Sequence, residues 1–163
     1  MMPEYNKYDN WNDFLDTRVD RLLDKEFFIE AFFHFSTTIE FMLQELITKQ
    51  EEWIAHTIKK SQLSFKGTKK VEELTLGQLI KIFSRYSNDD VLISKLNDLN
   101  AFRKKIVHKS LNYSFESLNN EAKNKMPKYY EMVATLARMN ISLIEKHTKN
   151  LKRKIKMINK AKL

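Results

Sequence analysis

Apolar residues recur along this chain at helical spacing and almost nowhere alternate as strand residues do. In EFFIEAFFHFSTTIEFMLQELITKQ, the positions Phe28, Phe32, Phe35, Ile39, Met42 and Leu46 fall within about 80° of one another on a helical wheel. A second row, Ile29, Phe33, Ser36, Glu40, Leu43 and Ile47, runs beside it. The combined apolar surface is wider than a one-faced amphipathic helix needs, which predicts a central helix or one that also meets another subunit. A shorter helix is predicted to precede it around Trp11 to Leu23, capped near Asn10.

Polar punctuation sets the remaining elements. Residues 61–70, with Gly67, read as a loop, and Thr75 with Gln78 forms a capping-box pattern that opens a helix through IKIFSRY. Ser87 with Asp90 signals another start, leading into VLISKLNDLNAFRKKIVH. A short helix is expected near SFESLNNEAK, and Pro127 fits the first turn of a last long helix. In that helix Tyr130, Val133, Leu136, Leu143, Ile144, Leu151, Ile155 and Ile158 follow at near-helical spacing. The pattern predicts an all-α fold, a mostly up-and-down helical bundle with a long basic C-terminal helix.

Composition supports this reading. Two glycines and two prolines in 163 residues leave little for hairpin turns, and a chain of this length can bury one core. Without cysteine there is no disulfide framework or thiolate metal site, and His34, His56, His108 and His147 show no metal-ligand spacing. No metal or cofactor is expected. No signal-peptide pattern opens the chain, and no apolar run approaches the roughly 18–20 residues of a membrane span. A cytosolic protein is the simplest expectation.

Charge divides the chain in two. The formal net charge is +8, yet residues 1–145 balance 21 basic against 21 acidic residues. Beyond Glu145 no acidic residue follows, while Lys146, Lys149, Lys152, Arg153, Lys154, Lys156, Lys160 and Lys162 do. We therefore expect a helical domain over 1–145 and a basic helical extension over 146–163. Such a tail suits a polyanion, because each engaged phosphate releases counterions. Lysines at a helix end also suit the helix dipole, and Leu151, Ile155 and Ile158 beside them are compatible with a membrane-surface helix.

The stretch FRKKIVHKS, residues 102–110, carries the candidate chemistry. With Leu92 at zero on the wheel, Leu96, Leu99, Arg103 and Ile106 all lie within about 40°. Arg103 thus falls in the line of core residues and requires a carboxylate, a bound anion or a wet cleft. Glu40, itself among apolar neighbours, is the candidate carboxylate. His108 lies about 140° away from Arg103, and its helical neighbour is Lys104. A single helix face does not hold both.

The arrangement RKKIVH, an arginine and a histidine separated by four residues at the end of an internal helix, resembles the R-x4-H motif of the HEPN superfamily. The pieces HFSTTIEFMLQELI and LTLGQLIKIF resemble the first two core helices of such domains, so the likeness spans roughly residues 25–145. It implies a HEPN-type bundle and a homodimer in which two motifs face one cleft. It also implies a metal-independent endoribonuclease of toxin–antitoxin or antiviral defence systems, with an antitoxin protein as a possible partner. Carried onto this chain, His108 would act as general acid or base toward the ribose 2′-OH and the leaving 5′-oxygen. Arg103 would hold the scissile phosphate, and Glu40 would support it. Lys104, Lys105, Lys109, Ser110 and Asn112 would bind RNA as well, joined by Lys152, Arg153 and Lys156 of the tail. The alternative within the same likeness is a catalytically silent module that binds RNA or a protein.

Overall fold

The computed structural model describes residues 18–57 and 70–160, excepting the side chains of residues 55–57, 151 and 154–160. Among the described residues there are five α-helices and no strand. They are α1 (Asp20–Asp24), α2 (Phe28–Thr57), α3 (Leu76–Phe83), α4 (Asp90–Lys109) and α5 (Phe115–Lys160). Single 3-10 turns, Val71–Glu73 and Ser110–Asn112, precede α3 and follow α4. No helix among the described residues is long and apolar enough to cross a membrane. The expected helix around 11–23 and its cap at Asn10 lie largely outside the described residues, as does the loop with Gly67.

The two long helices run parallel. Phe28 meets Asn119, Lys49 meets Asn140, and the Trp53 ring stacks on His147 at 4.9 Å, so contacts advance together along both helices. Helix α4 runs the other way, because Lys95 pairs with Glu131 at 2.7 Å and Lys105 with Glu121 at 2.6 Å. Gly77 at the start of α3 stands against Asn100, where a Cβ would meet the Asn100 amide at 3.1 Å. The bundle is thus up-and-down around α4, with α2 and α5 pointing the same way.

Both apolar rows of α2 are covered within the one chain. Phe28, Phe32, Phe35, Ile39 and Leu46 of the first row and Ile29, Ser36, Leu43 and Ile47 of the second are buried. The width of its apolar surface therefore marks α2 as the central helix, and Phe33, 37% exposed, departs from the two rows. Phe32 forms the centre of an aromatic cluster with Phe102 at 4.9 Å and Tyr129 at 5.4 Å. Tyr129, not the expected Tyr130, enters the core: Tyr130 is 45% exposed, and Ile144, also expected inside, is 48% exposed.

Caps explain where the helices begin. The Thr75 N–H donates to Gln78 Oε1 at 2.9 Å, the capping box read from the sequence. For α4 the cap is Asp89 and not Ser87: Asp89 Oδ1 accepts from the Leu92 N–H at 2.9 Å, while Ser87 Oγ accepts from the Asp89 N–H. No separate short helix precedes Pro127, because α5 is continuous from Phe115 through that proline. Proline in a helix interior costs about 3 kcal/mol by itself. Here Leu118, Ala122, Met126, Tyr129, Met132 and Leu136 form one buried row on both sides of it, and that packing outweighs the break.

One side chain ties the start of α2 to α5. Asn119 Oδ1 accepts from the N–H groups of Phe28 and Ile29 at 2.9 and 3.1 Å, and Asn119 Nδ2 donates to the Glu26 carbonyl at 2.7 Å. Glu26 itself follows α1 in the left-handed region, φ 59°, a conformation that costs a non-glycine residue about 1–2 kcal/mol. Asn119 is therefore an N-cap supplied from a distant helix. Asn119→Ala is expected to lower unfolding stability by about 1–2 kcal/mol in chemical denaturation; an unchanged midpoint would remove the clamp from the account.

His34 is half-buried on α2. Burial lowers its pKa from the ordinary 6.5, and the Arg18 charge lowers it further. The unfolded chain therefore takes up this proton first as pH falls, and the stability conferred by the neutral imidazole is present above about pH 6.5 and lost below it. The melting temperature should fall less between about pH 7.5 and pH 5.5 in His34→Gln than in the parent chain. An identical drop in both would contradict this assignment.

Candidate functional site

Helix α4 buries Leu92, Leu96, Leu99, Phe102 and Ile106. Phe102 widens this row to one side and shifts its centre by about 20°, to about 40° from Arg103, which leaves the arginine off its middle. There Arg103 Nη1 lies 3.1 Å from Glu40 Oε2, with the two side chains 35% and 20% exposed. The carboxylate foreseen for Arg103 is thus Glu40 of α2. Partial exposure makes this pair a weak contributor, because solvent screens it and both long side chains lose freedom in making it.

His108 faces elsewhere. It is exposed in the last turn of α4, where a cation also complements the helix dipole. It shares an open concavity of about 460 Å³ with Ala101, Lys104, Lys105, Lys109 and Tyr113. Lys104 and Ala101 fall one and two turns before His108, so helical spacing alone aligns them. Tyr113 arrives because the Ser110–Asn112 turn reverses the chain after α4. Arg103 does not line this concavity, so the structure separates the two residues of RKKIVH within one chain.

The lysines of the concavity differ in their engagement. Lys105 Nζ lies 2.6 Å from Glu121 Oε2 and 4.2 Å from the Tyr113 ring centroid. Its hydrogen bond to Glu121 holds the ammonium above the usual lysine value, against a smaller opposing effect of desolvation. Glu121 also faces Lys125 at 3.8 Å. Lys104, His108 and Lys109 are exposed, and no described residue forms an ion pair with them. They are the groups left to meet an anion from solution.

The other candidates are dispersed. Ser110 and Asn112 lie in the turn after α4 but do not line the concavity. Lys152 and Arg153 are exposed at the far end of α5, while the side chain of Lys156 lies outside the described residues. Because Glu121 marks the level of Lys105, Lys152 is about 46 Å further along the helix axis. Tail and concavity therefore form two basic regions at opposite ends. Among the described residues no group of three His, Asp or Glu side chains is placed to hold a metal ion.

Tyr113 is absent from the candidates that the sequence suggests. Its signal is an aromatic residue closing the basic stretch KKIVHKSLNY, the mixture of ring and charge that nucleic-acid surfaces use. Glu121, the acceptor for Lys105, has no such signal. Compared with protein-family models, with curated proteins and with solved structures, the chain matches none.

The geometry makes Arg103 an edge ion pair. Arg103→Ala is expected to cost about 1 kcal/mol or less of folding stability, in place of the roughly 3–5 kcal/mol of a fully buried broken pair. Equilibrium denaturation checks it, and a drop near the larger figure would show that solvent does not screen the Glu40 carboxylate.

Proposed function

We propose that this chain acts on RNA at the basic end of α4, as a metal-independent endoribonuclease of HEPN type. The observation that supports the reading is the exposed His108 between Lys104 and Lys109 in one open concavity with Tyr113. Exposed Leu111 lies in the turn after α4 and exposed Phe115 opens α5, and aromatic rings beside lysines offer bases a stacking surface next to phosphate-binding groups.

In this mechanism His108, neutral, removes the proton of a ribose 2′-OH. The resulting oxyanion attacks the adjacent phosphorus and the bond to the 5′-oxygen breaks, leaving a 2′,3′-cyclic phosphate and, after protonation, a 5′-hydroxyl. Lys104 and Lys109 stabilise charge developing on the phosphoryl oxygens. DNA, lacking the 2′-OH, is not a substrate. Since Arg103 lies on another face of α4, it serves the same phosphate only from a second copy, so that a cleft shared by two chains takes His108 from one and Arg103 from the other. An antitoxin partner would act by covering that cleft.

A second reading is favoured by a specific observation. Glu40 already satisfies Arg103 within its own chain, as a structural arginine would be satisfied, and a module that binds RNA without cutting it needs only the concavity.

Cleavage of RNA in chelator separates the two. His108→Ala should lower the rate by about 10²–10⁴-fold with affinity little changed. Lys104→Ala/Lys109→Ala should weaken binding and reduce the slope of log affinity against log salt by about 0.7 for each single-strand phosphate that is no longer neutralised. Full cleavage by a folded His108→Ala protein would sink the enzymatic reading, and unchanged affinity in the double lysine variant would sink the site.

A further inference from the structure

Tyr113 brings a phenol ring to the His108 concavity, and the backbone is held on both sides of it. The Tyr113 N–H donates to the Ser110 carbonyl at 3.1 Å, which closes the turn after α4. One residue on, Ser114 Oγ accepts from the Ser117 N–H at 3.1 Å and caps the start of α5. A residue set between a closed turn and a helix cap has little backbone freedom left.

The side chain is held as well. Lys105 Nζ lies 4.2 Å from the ring centroid and 2.6 Å from Glu121 Oε2. A lysine without a partner samples many rotamers, so the ion pair is what keeps this ammonium over the ring, and cation–π attraction then keeps the ring under the ammonium. Lys105 covers one face of the ring, yet Tyr113 remains 43% exposed, so surface is left for a second partner. Glu121 also faces Lys125 at 3.8 Å, and with two ammonium groups beside it its charge does not oppose an anion in the concavity.

The chemistry of the lining selects that partner. Lys104, His108 and Lys109 are exposed and meet an anion, while Tyr113 offers a π-face. A bare phosphate or an acidic peptide would satisfy the cations and leave the ring unused. A nucleotide joins a phosphate to a planar base and uses both, and the concavity of about 460 Å³ falls within the roughly 300–1,000 Å³ of small-ligand sites. We infer that Tyr113 is the base-stacking residue of this site, and that Glu121, acting through Lys105, is the positioning residue that holds its ring for the base of an RNA nucleotide whose phosphate meets Lys104 and Lys109. The inference rests on the RNA reading above and deepens it: Glu121 sets the affinity for bases without touching the RNA.

The probes are adenosine 5′-monophosphate and ribose 5-phosphate, which carry the same phosphate and differ by the base. Each is titrated against the full chain bound to a fluorescein-labelled single-stranded 2′-O-methyl RNA, which has no free 2′-OH to cleave with, and displacement is read by anisotropy. In the parent chain the adenosine nucleotide should compete about tenfold better than ribose 5-phosphate. Tyr113→Leu and Glu121→Gln should each bring that ratio close to one, with circular dichroism unchanged, and Tyr113→Phe should keep it. Lys104→Ala should weaken both competitors and leave the ratio as it is. Removing the Glu121 charge acts on the two phosphates alike, so the ratio isolates the ring. Equal competition in the parent chain, with the labelled RNA still bound, would overturn the stacking role and leave the RNA reading standing. Failure of the labelled RNA to bind would overturn both. A ratio kept by Tyr113→Leu would overturn the assignment of Tyr113, and one kept by Glu121→Gln would overturn the positioning role. Adenosine monophosphate binding as tightly as the RNA would assign the site to a free nucleotide and overturn the RNA strand as its ligand.

Discussion

Everything in this molecule is referenced to the parallel packing of α2 against α5. Parallel neighbours cannot be joined by a tight turn, so the chain between them must travel back, and α4 is the element that does so. The pairing is fixed axially at one end by Asn119, which caps α2 and holds the Glu26 carbonyl. Further along, Asn140 reaches Met42 and Lys49. Between these two polar ties lies a dry row of Phe32, Phe35, Ile39, Leu43 and Leu136. Burial supplies the larger share of the free energy, and the two asparagines supply register, since a shift of either helix would leave their partners without hydrogen bonds.

That register has consequences for charge. With α4 antiparallel to α5 and pinned to it through Lys95–Glu131 and Lys105–Glu121, the last turn of α4 must lie near the start of α5. The His108 concavity and the lysine tail are therefore separated by most of the length of α5. Within α4, burial of Phe102 extends the buried row on the side away from Arg103, which pairs with Glu40, while Lys104, His108 and Lys109 are left to solvent. One helix thus presents a neutralised cation on one side and exposed cations on another.

The elements whose information is local are legible in the sequence. The wide apolar surface of α2, the Thr75–Gln78 cap and the Glu40 partner of Arg103 can be read because periodicity and the need to pair a charge point to them directly. Pro127 reads locally as a helix start, but a core row that continues through it overrides that preference. The choice between Tyr129 and Tyr130 depends on the angle at which α5 meets α2, which adjacent tyrosines cannot specify. Asn119 is invisible because its partners lie 90 and 91 residues away. For the site, the motif locates His108 and its lysines, but a stripe drawn without Phe102 places Arg103 too centrally. Tyr113 depends on a turn that has no strong signal.

The claim that the two faces of α4 serve one reaction only across two chains has a direct test in complementation. His108→Ala and Arg103→Ala proteins, each inactive on RNA in chelator, should restore cleavage when mixed and allowed to exchange, because one shared cleft would then hold an intact histidine from one chain and an intact arginine from the other. A mixture as inactive as its components, with both proteins folded and still binding RNA, would contradict the shared cleft.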